Sequence, residues 1–188
     1  MIRRLPWLTI AVFAVTGAVT AAQLVWPQMI ALLERAPTMI TGWEVWRFST
    51  AWLVQSDGWP QIWINFPALA VIGTMVERSI GRLPWAAAYI TGGLAGEIAG
   101  VFWQPVGGGN SVAICGLIGL LAAFQLTRTD VPMFRRLLWP ELAVVAVLYL
   151  CAKADIHGLP IVFGAVAGLG VWALQRSLGK ATGTGVAP

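Results

Sequence analysis

Gly107 to Leu121 reads GGGNSVAICGLIGLL: a glycine run, an asparagine and one serine, then a stretch of apolar residues without a charge. The glycines predict a flexible loop and the apolar run a helix in apolar surroundings. Ser111 stands at the join. There, unpaired backbone N–H groups and the positive end of the helix dipole favour negative charge developing nearby, the environment that oxyanion holes use. The same place suits a serine that merely caps the helix. Both readings of Ser111 stand at this point.

Composition decides the surroundings. The 188 residues are 58% hydrophobic and only 11% charged, with eleven tryptophans, whereas soluble domains carry about a quarter charged residues. An integral, multi-pass membrane protein is expected. No basic run or basic helix face is present, so no nucleic-acid partner is expected. The start, MIRRLPWLTIAVFAV, has the layout of a signal peptide, but its apolar part is long and no small-x-small site with a polar flank follows; a retained first helix is expected. Cys115 and Cys151 both lie in apolar segments and support neither a disulfide framework nor a metal site.

A spanning helix needs about 20 mainly apolar residues. Six segments qualify, at approximately 6–26, 60–77, 84–103, 111–127, 137–152 and 157–175. The expected fold is therefore an all-α bundle of six transmembrane helices, one membrane domain over residues 1–178 with a short disordered cytoplasmic tail at 179–188. With the N-terminus inside, Arg3, Arg4, Arg78, Arg82, Arg128, Arg135, Arg136, Arg176 and Lys180 fall on the cytoplasmic side, and only Arg35, Arg47 and Lys153 fall outside. That positive-inside bias puts both termini in the cytoplasm and Ser111 at the outer end of the fourth helix. The first outer loop, about 27–59, is long and carries Trp43, Trp46, Phe48, Trp52 and Trp59 among few charges, as an interfacial helical loop would.

Polar groups at membrane depth are costly and point to function. Gln61 and Asn65, four apart on one face of the second helix, share the outer level with Ser111 and with His157, the single histidine. His157 reads either as a base or as a surface cap following Asp155. Glu97 reads as a relay or as a carboxyl neutralised between helices. Gly116 and Gly119 thin the fourth helix, and Gly164 and Gly168 form a GxxxG face on the sixth. Small faces let backbones approach closely, which would bring Ser111 and His157 within reach.

These residues resemble the rhomboid family of intramembrane serine proteases. Gly109-Asn110-Ser111-Val112 resembles the family's GxSG, with AICGLIG continuing as its fourth helix does. Asn65, Gly73, Glu77 and Arg78 match its second-helix pattern, and Trp46-Arg47 its loop-one pair. His157 with Gly164 and Gly168 resembles its sixth-helix histidine and glycines. The likeness covers roughly residues 42–170. Three positions depart from it: Val112 stands for glycine, Gln61 for histidine and Pro160 for glycine. A register four residues along would put Cys115 in the serine position and Ile161 in the histidine position. Ser111 is preferred because it also aligns Ala113, Ile114, Gly116 and Gly119.

The resemblance implies an endopeptidase in the cell membrane that cleaves transmembrane segments of other membrane proteins within the bilayer. Ser111 would be the nucleophile and His157 the general base, a dyad without an orienting carboxylate that proceeds through an acyl-enzyme. The Ser111 N–H and the amides of Asn65 and Gln61 would hold the oxyanion, and no cofactor is implied. Gln61 keeps a donor, while the Val112 Cβ is expected to crowd the scissile carbonyl. Two alternatives remain. One is a weak or inactive relative that binds transmembrane segments; the other is a small transporter, which the absence of paired half-repeats disfavours.

Overall fold

A computed structural model describes residues 5–181, and every named element among them is a helix. α1 spans Trp7–Val25; α2 (Gln28–Leu33), α3 (Thr38–Thr41) and α4 (Arg47–Thr50) make up the loop after it. α5 (Trp59–Ala68), a π-helical stretch (Leu69–Gly73) and α6 (Thr74–Ser79) follow one another without a break. α7 (Arg82–Trp103), α8 (Ser111–Gln125), α9 (Met133–Ala152) and α10 (Gly158–Ala181) complete the chain. The apolar segments fall on helical residues. By length and composition, though, only α1 and residues Gly158–Gly179 among the described residues are long and apolar enough to cross a membrane, with α8 apolar but shorter. α10 runs past 175, so the tail expected from 179 begins as helix; Arg3, Arg4 and residues 182–188 lie outside the described residues.

Burial is turned inside out relative to a soluble helix. α1 buries Thr9, Thr16, Thr20 and Gln23 and exposes Trp7, Ile10, Phe13, Val15 and Leu24. α9 buries nothing and exposes Phe134, Leu142, Val145 and Leu148. An exterior this apolar, with polar groups facing inward, suits hydrocarbon as the solvent.

The inward polar groups hold helices together. Glu77 accepts the N–H groups of Leu8 and Thr9 at 3.1 and 2.9 Å, and the Thr9 hydroxyl at 2.9 Å. A carboxylate thus caps the N-terminus of α1, where free N–H groups and the dipole both favour it. Pro67, inside α5, has no N–H to offer the preceding turn, and the π-helical stretch begins two residues later. A local widening of this kind accommodates a disturbed hydrogen-bond ladder.

The centre is α7, α8 and α10, packed on one another. A Cβ on Gly92 would lie 2.6 Å from the Cα of Gly116, so α7 and α8 touch backbone to backbone. Gly164 meets Gly116 from α10, Gly119 lies against the Ile161 carbonyl, and Gly168 against Leu120. Close approach at the glycines of α8 and α10 fixes the start of α8 beside the start of α10.

Loop one is a scaffold of its own. Arg47 is buried and donates to the carbonyls of Ala31 and Glu34 at 2.8 and 2.7 Å, and to the Glu44 carboxylate at 2.6 Å. It satisfies carbonyls that α2 leaves open at its C-terminal end. Trp46, its neighbour, is half exposed and reaches the Leu32 carbonyl. The Trp46-Arg47 pair therefore organises the loop and touches neither Ser111 nor His157.

Candidate active site

The glycine run before α8 is held from loop one by backbone. Arg35 and Gly107 exchange hydrogen bonds of 2.7 and 3.2 Å; the Gly109 N–H donates to Ala51 at 2.8 Å and the Ser56 N–H to Gly108 at 3.3 Å. Gly107 takes a φ of 142°, open to glycine alone at little cost. Gly109 lies so close to the Gln61 side chain that any Cβ would overlap it. These contacts settle where α8 starts.

Ser111 is the first residue of α8, and the cap position falls to Asn110. The Asn110 side chain does not cap the helix; its Oδ1 accepts from Gln55 at 3.5 Å. The Ser111 hydroxyl is used elsewhere too. Its Oγ lies 2.9 Å from Nε2 of His157. The cap reading of Ser111 fails on that geometry.

His157 is oriented by a group for which the sequence reading assigned no role. Asp155 Oδ1 lies 2.6 Å from His157 Nδ1 and accepts the His157 backbone N–H at 2.9 Å. An ionised carboxylate only accepts, so Nδ1 carries the ring proton and Nε2 is the bare nitrogen. Ser111 then donates to Nε2, the arrangement a general base needs. Burial pushes the Asp155 carboxyl up, but the hydrogen bonds from the His157 N–H and ring outweigh this and hold it below the usual carboxylate range. The expectation of a dyad with no orienting carboxylate is corrected here. The two-residue spacing of Asp155 and His157 was the available signal, since aspartate commonly folds back on the N–H two residues on.

A cavity of about 130 Å³ opens onto Ser111 and His157, lined also by Gln61, Val112 and the three glycines. Gln61 Oε1 accepts the Asp57 N–H at 3.2 Å, which leaves its amide nitrogen toward Gly109 and the cavity. Asn65 is not among the lining residues. It is buried and donates to Gln55 at 2.8 Å, one of the two hydrogen bonds its amide nitrogen can give. Gln55, also missed in the sequence, is the hub, exchanging backbone and side-chain hydrogen bonds with Gln23 at 2.9 and 3.1 Å.

The Val112 side chain is 1% exposed and fills the notch left by Gly96, whose Cβ would lie 2.6 Å from it. Glu97 is neutralised by Arg35 from loop one, at 2.7 Å. Cys115 does not line the cavity, so the shifted register finds no thiol there.

The Rhomboid protease GluP of Bacillus subtilis (strain 168) is 29% identical over 123 residues, 65% of this chain and 24% of that protein. The chain thus spans about a quarter of that relative's length. Residues 42–177, from loop one through most of α10, match the family model described as the Rhomboid domain, and the chain belongs to the rhomboid family.

Proposed function

We propose that the chain is an intramembrane serine endopeptidase acting on transmembrane segments of other membrane proteins. The observation that carries this reading is the 2.9 Å approach of Ser111 Oγ to His157 Nε2, with Nδ1 held by Asp155, inside a cavity. Ser111 Oγ attacks the scissile carbonyl carbon as its proton passes to Nε2. The tetrahedral oxyanion is met by the Ser111 N–H at the start of α8 and by the amides of Gln61 and Asn65. The carbon–nitrogen bond then breaks, and His157 gives the proton to the leaving nitrogen. A water, deprotonated by His157, releases the acyl group from Ser111 and restores the hydroxyl. Asp155 acts through His157, as a positioning residue.

The membrane arrangement belongs to the same proposal: one domain over residues 1–178 crossing six times, termini cytoplasmic, with Ser111 and His157 near the outer face. Charge bias supports it, as does the apolar exterior of α1 and α9.

The test is purified protein in liposomes with a model transmembrane substrate, beside Ser111→Ala. Cleavage and fluorophosphonate labelling are expected for the wild type and absent in the variant. No label and no product from the wild type would overturn the protease reading and leave a relative that only binds transmembrane segments.

A further inference from the structure

A groove of about 290 Å³ opens at the opposite end of α8 from Ser111, lined by Leu126, Val131, Met133, Arg136 and Leu137. Four of these side chains are apolar, and Arg136 carries the single charge. The turn between α8 and α9 sets that charge in place. Arg136 Nε donates at 2.8 Å to the Leu126 carbonyl, a group that the end of α8 leaves open. A guanidinium donates through all three of its nitrogens, and the two terminal ones have no partner among the described residues. Arg135 lies over the Phe134 ring, 5.7 Å from its centroid, and adds a second charge at the same level. The acids nearby do not answer these two arginines. Asp130 is paired with Arg128, the first turn of α9 has no acidic side chain, and Glu141 stands a turn beyond Leu137 along the helix. Met133 and Phe134 are 74% and 66% exposed, so the groove opens onto the apolar exterior of α9.

We propose that this groove holds an anionic phospholipid of the bilayer, with its phosphate on Arg136 and an acyl chain against Leu126, Met133 and Leu137. The site rests on the proposed membrane arrangement, which puts the turn after α8 at a membrane face, and not on the proteolytic reading. The terminal nitrogens of a guanidinium match phosphate oxygens and bind them in pairs. The apolar lining sets the rest of the ligand: a soluble phosphate would leave that surface wet, whereas an acyl chain covers it. Charge sets the headgroup. A zwitterionic lipid would bring its own cation up to two arginines and no free carboxylate, while an anionic one leaves its net charge to be answered by them. Bound there, the lipid ties the turn between α8 and α9 to the headgroup layer.

The experiment uses the full chain purified in a neutral detergent. Dioleoyl phosphatidylglycerol or dioleoyl phosphatidylcholine is titrated in, and bound lipid is counted by native mass spectrometry. The wild type should retain one phosphatidylglycerol with about a tenfold preference over phosphatidylcholine, the worth of a hydrogen bond between charged groups. In Arg136→Gln the preference should fall to about one. Arg176→Gln removes a cation outside the groove and should keep it. Val131→Phe fills the groove, leaves Arg136 in place, and should lose the bound phosphatidylglycerol. Each preference is read within one protein and does not depend on how much folds; if Arg136→Gln gives no folded protein, Val131→Phe and the wild type decide. Equal retention of the two lipids by the wild type overturns the site, as does a preference that survives Arg136→Gln or Val131→Phe, or one lost equally in Arg176→Gln. Displacement of the lipid by glycerol phosphate without acyl chains would also overturn it, and leave a site for phosphate alone. Fluorophosphonate labelling of Ser111 is read separately, so loss of the lipid site leaves the protease standing.

Discussion

At Gly96 two of the three departures from the family's pattern meet. A Cβ there would lie 2.6 Å from Val112 and 3.1 Å from Pro160, so the bulk added at 112 and 160 is received by one missing side chain on α7. Val112 thus contributes packing. Val112→Gly should leave a void and a helical glycine, costing on the order of 2–4 kcal/mol, seen as a lower thermal midpoint in detergent. Its cleavage rate per labelled Ser111 should not rise; a faster and equally stable variant would restore the idea that Val112 crowds the substrate. Asp155 is the other residue whose role is set by contact. Asp155→Asn should lower kcat about 10- to 100-fold, the worth of a charge-assisted hydrogen bond, with KM unmoved, since His157 and not substrate loses its partner. Stability should follow a definite sign. The folded carboxyl is held below its ordinary value, so its bonding stabilises above about pH 4 and is lost as pH falls through the lower folded value. The gap in thermal midpoint between wild type and Asp155→Asn should hold from neutral pH to about pH 4 and close below it.

Among the elements, the glycine-to-α8 junction depends on amides that no helix supplies to itself. Gln55, in loop one, joins Gln23 of α1, Asn65 of α5 and Asn110 before Ser111. Gln23 bonds the backbone of Gln55 and would keep its partners, but Gln55→Leu would leave buried groups on Asn65 and Asn110 unpaired, each worth about 1–3 kcal/mol. A fall in stability together with slower fluorophosphonate labelling of Ser111 is expected, and a variant labelled at the wild-type rate would show that the network does not place the nucleophile. The helices themselves were legible, because apolar length and glycine spacing are local signals. So was the meeting of Ser111 with His157, since the glycine faces of α8 and α10 imply close backbones. What escaped is what local pattern does not encode. Gln55 and Gln23 are 32 apart, and Arg35 and Glu97 62 apart. Nothing in the period of either segment names its partner. The bond from Asn65 to Gln55 escaped for a related reason: helical spacing puts Asn65 on the face of Gln61 and says nothing of a partner in loop one. Asp155 is different. At two residues from His157 its carboxylate was within local reach, but an aspartate at that spacing folds back on the chain whether or not it also holds an imidazole.

Across the whole molecule, the arrangement of polarity and charge carries the argument. Threonines and glutamine inside α1, and an α9 with no buried residue, leave apolar side chains facing outward, and such a surface is stable only against lipid. Charge then sets direction. Nine of the twelve lysines and arginines lie in segments assigned to one side, and under the positive-inside rule the proposed topology makes that side cytoplasmic. The buried arginines of loop one, Arg35 and Arg47, are engaged in internal bonds, so they do not weigh against that orientation as free surface cations would. Between Trp43 in loop one and Thr129 in the turn after α8 lie three proposed crossings, so the two must face opposite sides. Both are exposed. With Cys115 and Cys151 replaced, Trp43→Cys should react with an impermeant maleimide added outside sealed cells, and Thr129→Cys only after the membrane is opened. Labelling of both from outside would remove the even number of crossings, and with it the placement of Ser111 and His157 at the outer face.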